Sequence, residues 1–171
     1  NDCRFVRDEF GKPRLHASTR DLRFNVAHSG TQALIAIAQG ADVGIDIEIR
    51  RTLDDLEAVA RLILSPSEWK YWQELPEPAR TSDFYAFWTY KEAITKASGQ
   101  GLLMEPSTVE ISLRPGQPPR LLHIPGWANP QSWTLKELDA PPGYSTALAS
   151  PASGLKVLQR NPEPSPARPH R

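Results

Sequence analysis

The segment V-G-I-D-I-E-I at residues 43–49 constrains the fold of this chain more than any other feature. Large apolar residues alternate with a glycine and two acids, and a period of two predicts a β-strand. We expect the apolar side chains to enter the core, and Gly44, Asp46 and Glu48 to lie on a solvent-exposed face. In such a strand the two acids are about 6.5–7 Å apart at Cα, close enough to bind one divalent ion.

A helix is predicted over residues 82–97, which include the run F-W-T-Y-K-E-A-I-T-K-A. Glu92 and Lys96 are four residues apart and therefore project from one face of that helix. A second, mostly apolar row is expected to pack against a sheet, and it contains Phe84, Phe87, Lys91 and Ile94. The run S-G-Q-G at residues 98–101 predicts the end of the helix.

Strand and helix together offer three carboxylates and one ammonium group. Mg2+ is bound by carboxylate oxygens, keeps several waters and often adds phosphate oxygens. A lysine beside such an ion is suited to a phosphate or a leaving group. Each pattern also has a plainer interpretation, as the wet face of an antiparallel sheet and as a solvated ion pair on a helix. Their combination favours a site for a metal ion and a phosphate.

Four motifs follow one another in a specific order: G-K-P at residues 11–13, F-N-V-A-H-S at 24–29, V-G-I-D-I-E at 43–48 and W-T-Y-K-E-A-I-T-K-A at 88–97. In this order they resemble the motifs of Sfp-type 4'-phosphopantetheinyl transferases, and the resemblance extends to about Ser150. It implies an Mg2+-dependent transfer of phosphopantetheine from coenzyme A to a serine of an acyl, peptidyl or polyketide carrier protein, with release of 3',5'-ADP.

Carried over residue by residue, the resemblance implies that Asp46, Glu48 and Glu92 bind Mg2+. Glu92 also matches the general base of the family. Lys96 matches the lysine near the pyrophosphate, where it would offset charge on the leaving group. These assignments are expectations about this chain.

The resemblance further implies that Lys12 and His28 contact the 3'-phosphate of coenzyme A. By position alone, each is also typical of an ordinary turn residue. The family commonly has S-H-S where this chain has Ala27, His28 and Ser29, so one hydroxyl is absent here.

The implied fold is α+β, with two pseudo-symmetric halves in one pseudo-dimeric monomer, each half a long helix packed on a small antiparallel sheet. We divide the chain into residues 1–41, the remainder of an incomplete first half; residues 42–152, the second half with the metal site; and residues 153–171, a proline-rich disordered tail. The chain begins at Asn1, which we interpret as a fragment without the N-terminal part.

Further elements are predicted from periodicity and from turn residues. Strands are expected at residues 4–6, 20–26, 32–38, 108–113, 120–124, 132–138 and 144–149, and helices at 53–64 and 66–75.

The composition excludes several classes. The 171 residues carry 20 Lys and Arg and 20 Asp and Glu, so no net field recruits nucleic acid. The longest apolar run, residues 33–38, is far shorter than the ~20 residues of a membrane span, and no secretory signal is visible. One cysteine fits a cytoplasmic protein.

Two rival functions remain open at this stage. A metal-dependent phosphohydrolase could use the same three acids with water as the nucleophile, and an inactive fragment could simply bind coenzyme A or a carrier protein. Arg50 and Arg51 follow the acidic strand and are candidate contacts for an acidic carrier.

Overall fold

The computed structural model describes residues 4–7, 11–16, 21–101 and 104–161. Within these residues the fold is α+β, as predicted, with three α-helices and small antiparallel sheets. In chain order the elements are β1 Phe5–Arg7, β2 Pro13–Leu15, β3 Leu22–Ser29, β4 Gln32–Gln39, β5 Gly44–Ile49, α1 Leu56–Ile63, α2 Pro66–Gln73, α3 Glu77–Ser98, β6 Glu110–Ser112, β7 Arg120–His123, β8 Thr134–Lys136 and β9 Tyr144–Ser150. Short 3-10 helices occupy Pro106–Thr108 and Pro130–Ser132.

The acidic strand β5 belongs to a three-stranded antiparallel sheet with the order β5-β9-β8. Gly44 lies opposite Ala149 and Ile49 lies opposite Tyr144, so the pairing runs the full length of β5. The predicted hairpin of β3 and β4 is present, and it pairs Leu22 with Gln39 at one end and Ser29 with Gln32 at the other. The sheets β1-β2 and β6-β7 are each two-stranded.

Helix α3 packs directly on the face of β5 that carries Gly44 and Asp46. A Cβ atom on Gly44 would lie 1.9 Å from the carbonyl oxygen of Ala93 and 2.6 Å from the nitrogen of Ala97. The expectation that this face is exposed to solvent is therefore wrong, because the helix covers it and leaves Asp46 only 4% exposed. Glycine is required at residue 44 because the helix backbone takes the space of a side chain.

The helix is longer than predicted, and one member of the row expected to face the sheet has its contacts elsewhere. It begins at Glu77 instead of residue 82, because Pro78 stands in its first turn, where no backbone N–H is needed. It ends as predicted, with Gly99 in the left-handed conformation at φ 75°. Ala93 and Ala97 lie against Gly44 of the sheet, whereas Lys91, expected to lie in a row against the sheet, donates to the carbonyl oxygens of Ile63 at the end of α1 and of Pro106 beyond α3.

The other face of β5 forms a second apolar cluster, and its buried members are Ala27, Ala36, Val43, Ile45, Ile47, Leu138 and Leu148. This cluster lies at the bottom of an open groove of about 1180 Å³, between β4, the apolar side of β5 and residues 138–141 and 155–161. Ile35 and Ile37 on β4 are 67% and 69% exposed at the groove.

Part of the segment expected to be a disordered tail has defined contacts. Val157 packs against the second apolar cluster, and the Gln159 side chain exchanges two hydrogen bonds with the backbone of Asp139. The rest of that predicted tail, from residue 162, lies outside the described residues. None of the described helices is long and apolar enough to span a membrane.

Candidate active site

The site is centred on Asp46, a buried carboxylate on β5. Its Oδ1 accepts a hydrogen bond from the Lys96 ammonium at 2.6 Å, and the same Nζ lies 3.3 Å from the carbonyl oxygen of Ile45. Within the described part of the chain, Asp46 Oδ2 is buried without a hydrogen-bond partner. Such an orphaned anionic oxygen is costly unless a ligand completes its contacts.

The three predicted acids influence one another electrostatically. Burial raises the pKa of Asp46 to about 7 against the lowering effect of Lys96, and the Glu48 and Glu92 carboxylates raise it further. Burial also raises the pKa of Glu92; Lys96 opposes this rise and Glu48 adds to it. The structure therefore brings Asp46, Glu48, Glu92 and Lys96 to one place, as the sequence predicted. Like charges gathered in a partly buried site are a signature of a functional centre.

The carboxylates are near one another but are not closed around an ion. Over the described ranges, no group of three or more Asp, Glu, His or Cys side chains is arranged to hold a metal as it stands. Lys96 takes one oxygen of Asp46, and Ser29 takes one oxygen of Glu48. The donor set still fits a hard cation, because it consists of carboxylate oxygens and includes the unsatisfied Oδ2 of Asp46.

Strand β3 lies beside β5 and contacts it through side chains. The Ile45 N–H donates to Oδ1 of Asn25 at 2.9 Å, and the Ile49 N–H donates to Oγ of Ser29 at 3.1 Å. The Ser29 hydroxyl itself donates to Oε2 of Glu48 at 2.8 Å. Neither Asn25 nor Ser29 was predicted from the sequence as a residue of the site. The available signal was a pair of polar residues, four apart, on the inward face of a strand.

The two residues expected at the 3'-phosphate are placed differently. His28 is exposed and projects from the face of β3 opposite to Ser29. The Lys12 ammonium donates to the carbonyl oxygens of Lys96 at 2.8 Å and Val43 at 3.4 Å, and it lies 3.6 Å from Asp42. Lys12 therefore connects the G-K-P segment to the end of α3 and the beginning of β5. The position that is serine in the family, Ala27, is buried in the second apolar cluster.

A second buried charge pair lies on the opposite side of α3. Lys91 is 1% exposed, and its ammonium lies 2.6 Å from Oε2 of Glu68. It also donates to the carbonyl oxygens of Ile63, Pro106 and Val109 at 2.9, 2.8 and 2.7 Å. Burial lowers the pKa of Lys91 and raises that of Glu68, and the charge of each partner opposes these shifts. The pair holds α3 against α2 and against the segment that follows α3. It thereby restrains the position of Glu92, the next residue on the helix.

Comparison with known proteins identifies the family of this chain. The model of the 4'-phosphopantetheinyl transferase superfamily matches residues 42–149, which include β5, α3 and β9. The chain belongs to this superfamily. Among curated 4'-phosphopantetheinyl transferases, HetI of Nostoc sp. strain PCC 7120 is 35% identical over 127 residues, or 73% of this chain and 53% of HetI. Sfp of Bacillus subtilis strain 168 is 29% identical over 151 residues, or 88% of this chain and 64% of Sfp. The chain thus spans about half to two thirds of the length of these relatives.

Solved structures of holo-carrier-protein synthases share the superfamily fold. That of Thermotoga maritima superposes with a TM-score of 0.52 at 27% identity, over 66% of this chain and 63% of that one. A Bacillus anthracis holo-(acyl-carrier-protein) synthase, solved in complex with CoA (3',5'-ADP), gives 0.51 at 22% identity over 64% and 93%. The second match shows likeness of fold alone.

Proposed function

We propose that this chain transfers 4'-phosphopantetheine from coenzyme A to a serine hydroxyl of an apo carrier protein, with Mg2+ as cofactor. The observation that carries the proposal is the buried Oδ2 of Asp46, a carboxyl oxygen that has no hydrogen-bond partner among the described residues and lies near two further carboxylates. Membership of the superfamily supports the choice of reaction. The proposed surroundings are the cytoplasm, where coenzyme A and carrier proteins meet.

Asp46, Glu48 and Glu92 would hold Mg2+, which supplies positive charge that neutralises phosphate oxygens. In the proposed reaction the serine oxygen forms a bond to the β-phosphorus of coenzyme A. The bond from that phosphorus to the bridging oxygen breaks, and 3',5'-ADP leaves. Glu92 accepts the serine proton, and its raised pKa brings its basicity closer to neutral pH.

Lys96 is the proposed partner of the leaving group. Its side chain is 29% exposed, and its ammonium is within reach of the carboxylate cluster through Asp46. A flexible lysine can exchange a carboxylate for a phosphate oxygen, and its charge then stabilises the diphosphate as the bond breaks.

Lys12 and His28 are proposed to act on the 3'-phosphate. The exposure of His28 supports direct contact with that group. The Lys12 ammonium is engaged with two backbone carbonyls, so we propose that it contributes to phosphate binding mainly through its charge.

The proposal is tested by incubating the chain with coenzyme A, Mg2+ and an apo carrier protein, followed by intact-mass analysis of the carrier. Addition of phosphopantetheine with release of 3',5'-ADP is the expected result. Hydrolysis of coenzyme A without a modified carrier would instead indicate a phosphohydrolase, and binding without turnover an inactive fragment. Glu92→Gln is expected to lower kcat by at least about 100-fold with a smaller change in coenzyme A binding. The exposed Glu57→Gln on α1 is the control.

A further inference from the structure

The hydroxyl of Ser29 connects a strand edge to one of the proposed metal ligands. It accepts from the N–H of Ile49 at 3.1 Å and donates to Oε2 of Glu48 at 2.8 Å. A hydroxyl has one proton to give, and here a carboxylate takes it while a backbone amide occupies a lone pair. Glu48 is only half-buried, and a glutamate in such surroundings would otherwise sample several rotamers.

Asn25 makes the corresponding contact at the other end of the strand. Its Oδ1 accepts from the N–H of Ile45 at 2.9 Å, and Asn25 is 7% exposed. Asn25 and Ser29 are four residues apart on β3, as Ile45 and Ile49 are on β5, so the two contacts have the same spacing along both strands. Their side-chain oxygens occupy the places of the carbonyl acceptors that a neighbouring strand would offer. Of these two contacts, only the one at Ser29 reaches a carboxylate of the site.

We propose that Ser29 is a positioning residue that holds Glu48 in the orientation needed for the metal ion, while Asn25 fixes the alignment of β3 with β5. This inference rests on the proposed function. The Ser29 hydrogen bond restrains Oε2 and, through it, the orientation of the whole Glu48 carboxylate. Hydrogen bonds to metal ligands typically change metal affinity by about 10–100-fold.

Asn25 and Ser29 offer a matched comparison. Ser29→Ala and Asn25→Ala each remove one side-chain contact to a β5 amide, but only Ser29→Ala releases Glu48. Binding of Mn2+, a hard-cation probe for the Mg2+ site, is measured by electron paramagnetic resonance of the free ion. Ser29→Ala is expected to weaken Mn2+ binding by about 10-fold. Asn25→Ala should change it by less than about twofold, and Ser29→Thr, which keeps the hydroxyl, should stay near the wild-type affinity.

Two further measurements separate positioning from general damage. Amide hydrogen exchange without metal should accelerate at Ile49 in Ser29→Ala and at Ile45 in Asn25→Ala. In the transfer assay, the Mg2+ concentration for half-maximal rate should rise in Ser29→Ala, with kcat at saturating Mg2+ within about threefold of wild type.

The outcomes distinguish the two proposals. If the wild-type chain transfers phosphopantetheine and Ser29→Ala binds Mn2+ normally, the role of Ser29 is overturned and the proposed function stands. Equal weakening in Ser29→Ala and Asn25→Ala also overturns it, because loss of strand alignment alone would then account for the effect. A wild-type chain that neither binds Mn2+ nor transfers the group overturns both proposals.

Discussion

At the scale of single residues, two charge pairs among the described residues have different consequences. Lys91 and Glu68 have hydrogen-bond partners on both sides, including three carbonyl oxygens around the ammonium. Asp46 has Lys96 on one oxygen and no partner for the other within the described residues. The first pair is arranged for stability, whereas the second retains binding capacity at a cost in stability.

The buried carboxyl group of Asp46 is expected to make the free energy of unfolding depend on pH. The pKa of Asp46 is raised from 3.8 to about 7, so between these values the folded chain keeps a proton that the unfolded chain releases. Its stabilising contribution is therefore complete below about pH 4 and is lost as the pH rises through 7. In the presence of a chelator, the free energy of unfolding of Asp46→Asn relative to wild type should therefore increase by on the order of 2–4 kcal/mol from pH 4 to pH 8. Urea unfolding at several pH values measures this difference, and a pH-independent difference would contradict it.

Removing one charge of the buried Lys91–Glu68 pair is expected to destabilise the fold strongly. Lys91→Met should lower the free energy of unfolding by about 3–5 kcal/mol, because it leaves the Glu68 carboxylate buried without its counter-charge. The double variant Lys91→Met with Glu68→Gln removes both charges and should recover part of the loss. Urea denaturation of both variants is the measurement. A single variant within about 1 kcal/mol of wild type would show that the pair is unimportant for stability.

Arg50 and Arg51 are exposed just beyond β5, the strand that carries Asp46 and Glu48. Carrier proteins are typically acidic, so reversal of both charges should raise KM for the carrier by about 10-fold and leave KM for coenzyme A unchanged. Steady-state transfer kinetics with each substrate varied in turn give both constants. Equal changes in both would argue against a docking role.

At the scale of elements, the contact between α3 and the β5-β9-β8 sheet brings the acids together. Asp46 and Glu48 come from the strand, and Glu92 and Lys96 come from the helix. The distance between the two elements is set where the Ala93 carbonyl passes over Gly44. Small residues on both sides let the backbones approach, and the site depends on that approach.

Gly44→Ala should therefore disrupt the site through the backbone. Its Cβ would overlap the Ala93 carbonyl at 1.9 Å, and neither backbone can yield without moving α3. We expect a loss of at least about 3 kcal/mol in unfolding free energy, together with loss of transfer activity. Gly40→Ala is the control: open space surrounds its Cβ, and only the strain of φ +71° applies, about 1 kcal/mol. Comparable losses in the two variants would contradict the packing argument.

At the scale of the whole molecule, the two faces of β5 have different surroundings. The face with Asp46 is covered by α3, whereas the face with Ile45 and Ile47 opens into the groove beside β4. Ile35 and Ile37 continue the apolar surface outward. Contiguous exposed apolar surface of this kind favours self-association.

The groove predicts the aggregation behaviour of these 171 residues. Ile35→Thr with Ile37→Thr should raise the concentration at which the chain stays monodisperse by severalfold, because both side chains are about two thirds exposed on an apolar strand. Leu62→Thr on α1, where the leucine is 73% exposed away from the groove, is the matched control and should change little. Light scattering over a concentration series measures the effect. Equal improvement in both would assign aggregation to exposed apolar residues in general.

Local patterns in the sequence were sufficient for most elements and for the identity of the acidic cluster. Alternation over residues 43–49 predicted β5 and the opposite faces of Ile45 and Asp46, since side-chain direction in a strand follows from residue parity alone. Helical spacing likewise put Glu92 and Lys96 on one face, and S-G-Q-G marked the end of α3. These properties depend on neighbours within a few residues.

Burial and hydrogen-bond partners were decided only by the tertiary structure, because they depend on what another part of the chain covers. An alternating D-I-E strand looks the same whether its acidic face meets water or a helix, and here α3 covers it through the missing side chain of Gly44. Lys91 lay in an apolar row, yet its charge is satisfied by the carbonyl oxygens of Ile63 and Val109, which are far from it in the sequence. Ser29 gained its place beside Glu48 only because β3 lies next to β5, a long-range contact that no local spacing records.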